Sequence, residues 1–256
     1  MRSTPHVSAM QEHPLSTKSV HVLVFPGFAD WEPAFALAEL KRSGNRSVVS
    51  VGFDLQSVTS MGGLKIVPER ALEDIRPSES DILILPGGDM WEGDYPRSSV
   101  NQVLSDFSSA GVPIAAVCGG TLAAAHAGLL NDRRHTSNMP GYIAEHVSDY
   151  TGASLYQSVP AVNDRSVITA SGLAPVEFAR EIFRQLTSSM RRTTSSGSRC
   201  SDTVGCRDLL SDHVAAHESP HETVTTALAG GPNSLSTCRF SSLPFDALIE
   251  PLESPQ

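Results

Sequence analysis

Cys118 lies in the run AAVCGGTLAAAHAG, where an apolar segment ending at Val117 gives way to the cysteine, two glycines and an alanine-rich stretch. That order suits a nucleophile elbow, a sharp strand-to-helix turn that lifts one side chain above a sheet. Small residues after the cysteine allow the tight turn. A helix starting there favours thiolate over thiol through its free N–H groups. The plainer alternative is a buried, inert cysteine, and the paired glycines favour the reactive one. A second run, ILPGGDMWEGD, places Gly87 and Gly88 after another apolar segment. The backbone N–H groups of Gly88 and Gly119, facing one crevice, would hold a carbonyl oxygen as it gains negative charge. A third run, FPGFADWEPAF, carries Asp30 and Glu32 near Phe28, Trp31 and Phe35. Two readings of these acids stand. They complement a helix amino end, or a protonated carboxyl donates a hydrogen bond to the Cys118 sulfur.

Chemistry of this kind needs a scaffold that brings the three runs together. Short β-branched segments recur at residues 20–25, 47–52, 81–88, 113–120 and 166–172, several continuously apolar, as in parallel strands covered on both faces. Helical patterns alternate with them: WEPAFALAELKRSG, SVNQVLSDFSSAG, GGTLAAAHAGLL, MPGYIAEHVSDYTG and APVEFAREIFRQL. Pro33 marks a helix start, and Gly44, Gly111 and Gly128 follow helix ends. Alternation of this type predicts an α/β fold, a doubly wound and mainly parallel sheet flanked by helices. Residues 56–67 and 153–162 are expected to form a hairpin or edge strands. Ligands of such sheets bind beyond the strands' carboxyl ends, where all three runs fall.

These runs, with RALEDIRPSESDILILPGG before the second and a terminal VITASGLAPVEFAREIF, resemble the ThiJ/PfpI superfamily, which has the class I glutamine amidotransferase-like fold. The resemblance covers about residues 19–187 and extends to a subgroup labelled type 1 glutamine amidotransferase-like. It implies that Cys118 is the nucleophile, Glu32 the acid that tunes it, and Gly88 and Gly119 the oxyanion donors. It also implies a homodimer. The chain departs from many relatives about twenty residues after the cysteine, where a histidine is replaced by Asn138. Asparagine can orient a carbonyl or a water but cannot act as a base. General acid–base help is worth about 10²–10⁴-fold, so His135, three residues earlier, is taken provisionally as the base. His126 reads as structural, and Glu177 as part of the last helix's first turn. The His-x-Glu pair of true amidotransferases is missing, so glutamine hydrolysis is not expected.

The 256 residues carry a net charge of −9, with 40% hydrophobic and 18% charged residues. An acidic balance argues against a nucleic acid partner. No apolar run approaches the ~18–20 residues that span a bilayer, and no membrane partner is expected. Four cysteines in a chain this long point to a reducing, cytoplasmic setting rather than a disulfide scaffold. Residues 1–18 read as a flexible leader without a signal-peptide core, 19–187 as the α/β domain, and 188–256 as a Ser/Thr-rich, mostly disordered tail with a short helix around 201–216. His213, His217 and His221 repeat every four residues there, but Pro220 breaks the pattern; neither metal nor cofactor is expected. The leading function is a cysteine-dependent enzyme acting on a small carbonyl or amide-like molecule, glyoxalase-like or a C–N hydrolase. The rival is a redox-sensing protective protein that uses the same cysteine. A DNA-binding regulator is disfavoured, because the tail shows no helix-turn-helix pair.

Overall fold

The computed structural model describes residues 18–42 and 46–195. The leader (Lys18 apart), Gly44 and the tail beyond 195 lie outside the described residues. With that tail go the expected helix at 201–216, the three spaced histidines, and Cys200, Cys206 and Cys238.

Nine strands are described, seven of them in one sheet. In chain order the strands are β1 (Ser19–Leu23), β2 (Ser47–Gly52), β3 (Val58–Thr59), β4 (Lys65–Ile66), β5 (Arg70–Ala71), β6 (Ser80–Leu85), β7 (Ile114–Val117), β8 (Ala161–Asp164) and β9 (Val167–Ala170). The helices are α1 (Trp31–Arg42), α2 (Arg97–Ser109), α3 (Gly120–His126), α4 (Tyr142–His146) and α5 (Pro175–Ser195). The main sheet runs β5-β2-β1-β6-β7-β9-β8. Its pairings are parallel except that of the edge strand β8 with β9. Arg165 and Ser166 join that last pair, with φ of 48° and 64°, the left-handed conformations a two-residue hairpin turn demands. Residues 56–67 do form a hairpin, β3 with β4, separate from the main sheet.

The apolar runs divide between the two faces by strict alternation. Leu83 and Leu85 pack with Leu104 and Phe107 of α2 and Leu122 of α3. Ile82 and Ile84 point the other way, to Ala36 and Leu40 of α1 and Phe178 and Ile182 of α5. A strand buried on both faces needs apolar side chains at every position, which is why these runs do not alternate with polar residues. Helix α5 continues to Ser195, past the boundary expected at 187. The four central strands β1, β6, β7 and β9 are neighbours, so the loops beyond their carboxyl ends converge on one crevice.

Candidate active site

Strand β7 ends at Val117, and Cys118 adopts φ of 54°, a left-handed conformation rare for a residue with a side chain. Such a conformation costs of order 1–3 kcal/mol and persists only where the surroundings enforce it. Here the enforcement is visible. The Cys118 N–H donates to the Ala170 carbonyl at 3.0 Å, extending the β7–β9 pairing by one residue. Its carbonyl accepts from the Thr121 N–H at 3.1 Å and from the Thr121 hydroxyl at 2.6 Å. With both backbone groups tied, the side chain projects into the crevice. The glycines that follow are required by close approach. A Cβ at Gly119 would stand 3.0 Å from the Gly88 carbonyl oxygen, and one at Gly120 would stand 2.4 Å from that of Leu85.

Glu32, in the first turn of α1, is 1% exposed and faces the sulfur. Its Oε2 accepts the Gly87 N–H at 2.5 Å, and its side chain hydrogen-bonds Cys118. A surface role in complementing the helix dipole is therefore set aside for Glu32. The aromatic neighbourhood expected around it is only part-formed, since Phe28 is buried whereas Trp31 and Phe35 are about half exposed. What buries the carboxyl is glycine-lined backbone: a Cβ on Gly87 would fall 2.6 Å from the Cys118 Cβ and 2.8 Å from Glu32 Oε2. Asp30 is turned elsewhere and accepts the Ser60 hydroxyl at 2.7 Å.

Asn138 reaches the sulfur as well. Its Nδ2 donates to Cys118 Sγ at 3.3 Å, while its Oδ1 accepts the Gly172 N–H at 3.1 Å. Gly172 closes the far wall, because a Cβ there would meet Glu32 Oε1 at 2.9 Å and Sγ at 3.0 Å. The Gly119 N–H also hydrogen-bonds the sulfur. Among the described residues the Gly88 N–H has no acceptor, and it lies 3.5 Å from where a Gly119 Cβ would be. The Gly87 N–H is committed to Glu32, so the Gly119 N–H is the backbone donor on the thiol, with the Gly88 backbone next to Gly119.

His135 is not brought to Cys118. Its ring is fully buried, with Nδ1 against the Arg133 carbonyl at 2.8 Å and Nε2 against the Tyr150 hydroxyl at 2.6 Å. Tyr150 and Tyr156 stack edge-on against the ring. Both nitrogens are spent, so the base role expected of His135 has no geometric support. His126 stands beside Tyr95 at the end of α3, and Glu177 lies in the first turn of α5. Gly172 was not singled out in the sequence. Gly172 carried a signal nonetheless, since VITASGLAP is a fourth strand-to-helix junction of the same kind.

Burial pushes the Glu32 carboxyl up to about 7, against the pull of its hydrogen bonds from Gly87 and Cys118. Burial also pushes the Cys118 thiol up to about 11, and the negative charge of Glu32 adds to the rise. Hydrogen bonds from Asn138 and Gly119 pull it the other way. Both causes work against the low-pKa thiolate expected from the helix amino end. Helix α3 has only seven residues, and desolvation and a nearby carboxylate outweigh it. The two groups titrate as one pair: between about 7 and about 11 they hold a single proton. When that proton sits on Glu32, the repulsion vanishes and the anion on sulfur is met by three hydrogen-bond donors.

An α/β sandwich with a strained cysteine elbow, a buried carboxyl and glycine-lined backbone donors defines a class of proteins. The model of the DJ-1/PfpI family matches residues 18–185, and the chain belongs to that family. It is 37% identical over 179 residues to a Bacillus subtilis (strain 168) protein named as an uncharacterized protease, YoaZ, covering 67% of this chain and 85% of that one. A deglycase of Pyrococcus abyssi (strain GE5 / Orsay) is 30% identical over 118 residues, 46% of this chain and 70% of the relative. Among solved structures, the DJ-1 superfamily protein Atu0886 from Agrobacterium tumefaciens superposes with a TM-score of 0.67 at 30% identity, covering 78% of this chain and 98% of that one. Among the described residues no helix is long and apolar enough to cross a membrane.

Proposed function

We propose that this protein is a cysteine-dependent enzyme that adds the Cys118 sulfur to the carbonyl of a small aldehyde-derived molecule, in glyoxalase- or deglycase-type chemistry. One observation carries the reading: the Glu32 carboxyl and the Gly119 N–H both hydrogen-bond the elbow sulfur, and the Gly88 backbone lies next to Gly119. In the first step the S–C bond forms and the carbonyl π pair moves onto oxygen. Gly88 and Gly119 hold that oxygen, and Glu32 supplies the pair's shared proton to it. Asn138 orients the sulfur and the incoming carbonyl. His135 takes no part. The names of relatives, protease for one and deglycase for another, support carbonyl or C–N chemistry without choosing between them. A homodimer and cytoplasmic residence belong to the same reading; exposed Met61, Leu64 and Val67 near the β3–β4 hairpin offer apolar surface for a second copy.

A second reading is favoured by the same donors standing around a sulfur that, among the described residues, has no histidine beside it. They would equally hold a sulfinic acid formed by peroxide. Both readings meet in one experiment, in which the protein is given a 2-oxoaldehyde, an aldehyde-glycated amino acid and an unstructured peptide. Products are followed by NMR and cysteine adducts by peptide mass spectrometry. Turnover of either carbonyl substrate with a transient adduct on Cys118 is expected. Peptide cleavage alone, or adducts spread over all four cysteines, would overturn it. No turnover, with a single stable sulfinate on Cys118 after mild peroxide, would select the sensing role.

A further inference from the structure

The Cys118 carbonyl and the Gly119 N–H are the two ends of one trans peptide, so they point in opposite directions. The carbonyl accepts from Thr121, three residues on, and so runs along α3. That turns the Gly119 N–H out past the start of the helix, where the sulfur lies. Whatever holds the carbonyl therefore aims the N–H. The backbone alone holds it loosely. The Thr121 N–H stands 3.1 Å away at the start of a seven-residue helix, and the two glycines that follow give the peptide little resistance to turning over. The Thr121 hydroxyl adds a second and shorter bond to the same oxygen, at 2.6 Å. Threonines in helices commonly bond a carbonyl three or four residues back. This one differs in having a second buried hydroxyl behind it. Ser137 Oγ lies 2.6 Å from Thr121 Oγ1, and the two residues are 2% and 0% exposed. A carbonyl has no proton, so the Thr121 proton is spent on Cys118, and the proton between the hydroxyls is Ser137's. Donation runs from Ser137 to Thr121 to the Cys118 carbonyl. Ser137 also directly precedes Asn138, whose amide donates to the sulfur.

We propose that Thr121 and Ser137 are positioning residues, whose hydroxyls clamp the Cys118–Gly119 peptide so that the Gly119 N–H stays turned to the reacting centre. They act through that peptide and not on the sulfur. The pair also polarises it, because a bond accepted at the peptide oxygen makes the N–H a better donor. The two contribute unequally. Thr121 grips the carbonyl itself, whereas Ser137 holds Thr121 in the gripping rotamer. The proposal rests on Cys118 being the reactive centre and Gly119 its donor, but its test needs no turnover.

Two readouts follow the clamp without substrate: the Gly119 amide resonances by NMR, and the rate of Cys118 alkylation against pH. Thermal melting is recorded beside them. Thr121→Val removes the hydroxyl at nearly the same shape. It should move the Gly119 resonances and slow alkylation about three- to tenfold near pH 8, with the profile displaced upward. Thr121→Ser, which keeps the hydroxyl, should match the parent in both. Ser137→Ala should give the same changes at smaller size, because the Thr121 bond survives, and it reads the clamp even if Thr121→Val folds poorly. The double variant separates positioning from stability. Thr121→Val strands the Ser137 hydroxyl in the core, so adding Ser137→Ala should regain part of the lost melting temperature and none of the lost reactivity. General loosening of the fold would return both together. Parent-like resonances and alkylation in Thr121→Val and Ser137→Ala, or reactivity recovered along with stability in the double variant, would overturn the clamp. Absence of turnover in the parent protein would count against the enzymatic reading alone, so the two failures are told apart.

Discussion

Cys118→Ala should lower turnover of the carbonyl substrate by roughly 10⁴-fold or more, because a covalent route disappears while only the binding groups remain. Cys200→Ala should leave turnover unchanged. Folding gives no reason for the loss. Alanine at position 118 inherits the same φ of 54° and the same backbone bonds to Ala170 and Thr121, so the melting temperature should move little. Steady-state kinetics beside thermal denaturation checks this. Equal activity in the two variants would remove the sulfur from the chemistry.

Trp91→Ala should have the largest effect on stability. Trp91 is 1% exposed and packs edge-on against Phe25 and Tyr95, with ring centroids 5.1 and 4.9 Å away. Its Nε1 donates to the Pro86 carbonyl at 2.8 Å, and its Cδ1 would lie 3.1 Å from a Cβ on Gly119. The indole therefore fills core and braces both glycine loops. Truncation of a buried Trp costs about 3–5 kcal/mol, which for a domain of this size is a fall in melting temperature of roughly 10 °C or more. Urea denaturation reads the loss directly. A change under about 1 kcal/mol would mean that the loops hold themselves.

The fold could be read from the chain because its central strands are buried on both faces. DILIL, IAAV and VITA are too apolar and too short for anything else, and glycines punctuate the ends of the helices between them. Local pattern failed where distant packing decides. Residues 139–152 read as one helix, yet only Tyr142–His146 is helical, because Gly141 is left-handed and Val147 is extended. Neither the two-residue β5 nor the antiparallel setting of β8 leaves a periodicity to see.

The sequence pointed to Cys118, Gly88 and Gly119 where a single junction carries them, and the family resemblance pointed to Asn138. The site was illegible where a partner arrives from far along the chain. His135 read as a base because its neighbours Tyr150 and Tyr156, which engage and cover it, come fifteen and twenty-one residues later. Gly172 acts both as the far wall of the site and on the Asn138 amide, and its bond to Asn138, thirty-four residues away in sequence, is announced by no local motif. The sequence left two readings for the acids at 30 and 32, and only the packing decided between them, burying Glu32 against the sulfur and turning Asp30 to Ser60.

The most direct measurement is the alkylation rate of Cys118 from pH 5 to 12, by site-resolved mass spectrometry, in the parent protein and in Glu32→Gln. A pair sharing one proton gives two steps. Reactivity should rise through about 7 as the first proton leaves, hold a plateau while the remaining proton divides between carboxyl and sulfur, and rise again near about 11. Glu32→Gln should merge these into one step, because a neutral amide has no proton to exchange. A single step near the ordinary thiol value of about 8.5 in both proteins would contradict the shared proton, and with it the tuned nucleophile on which the proposed chemistry depends.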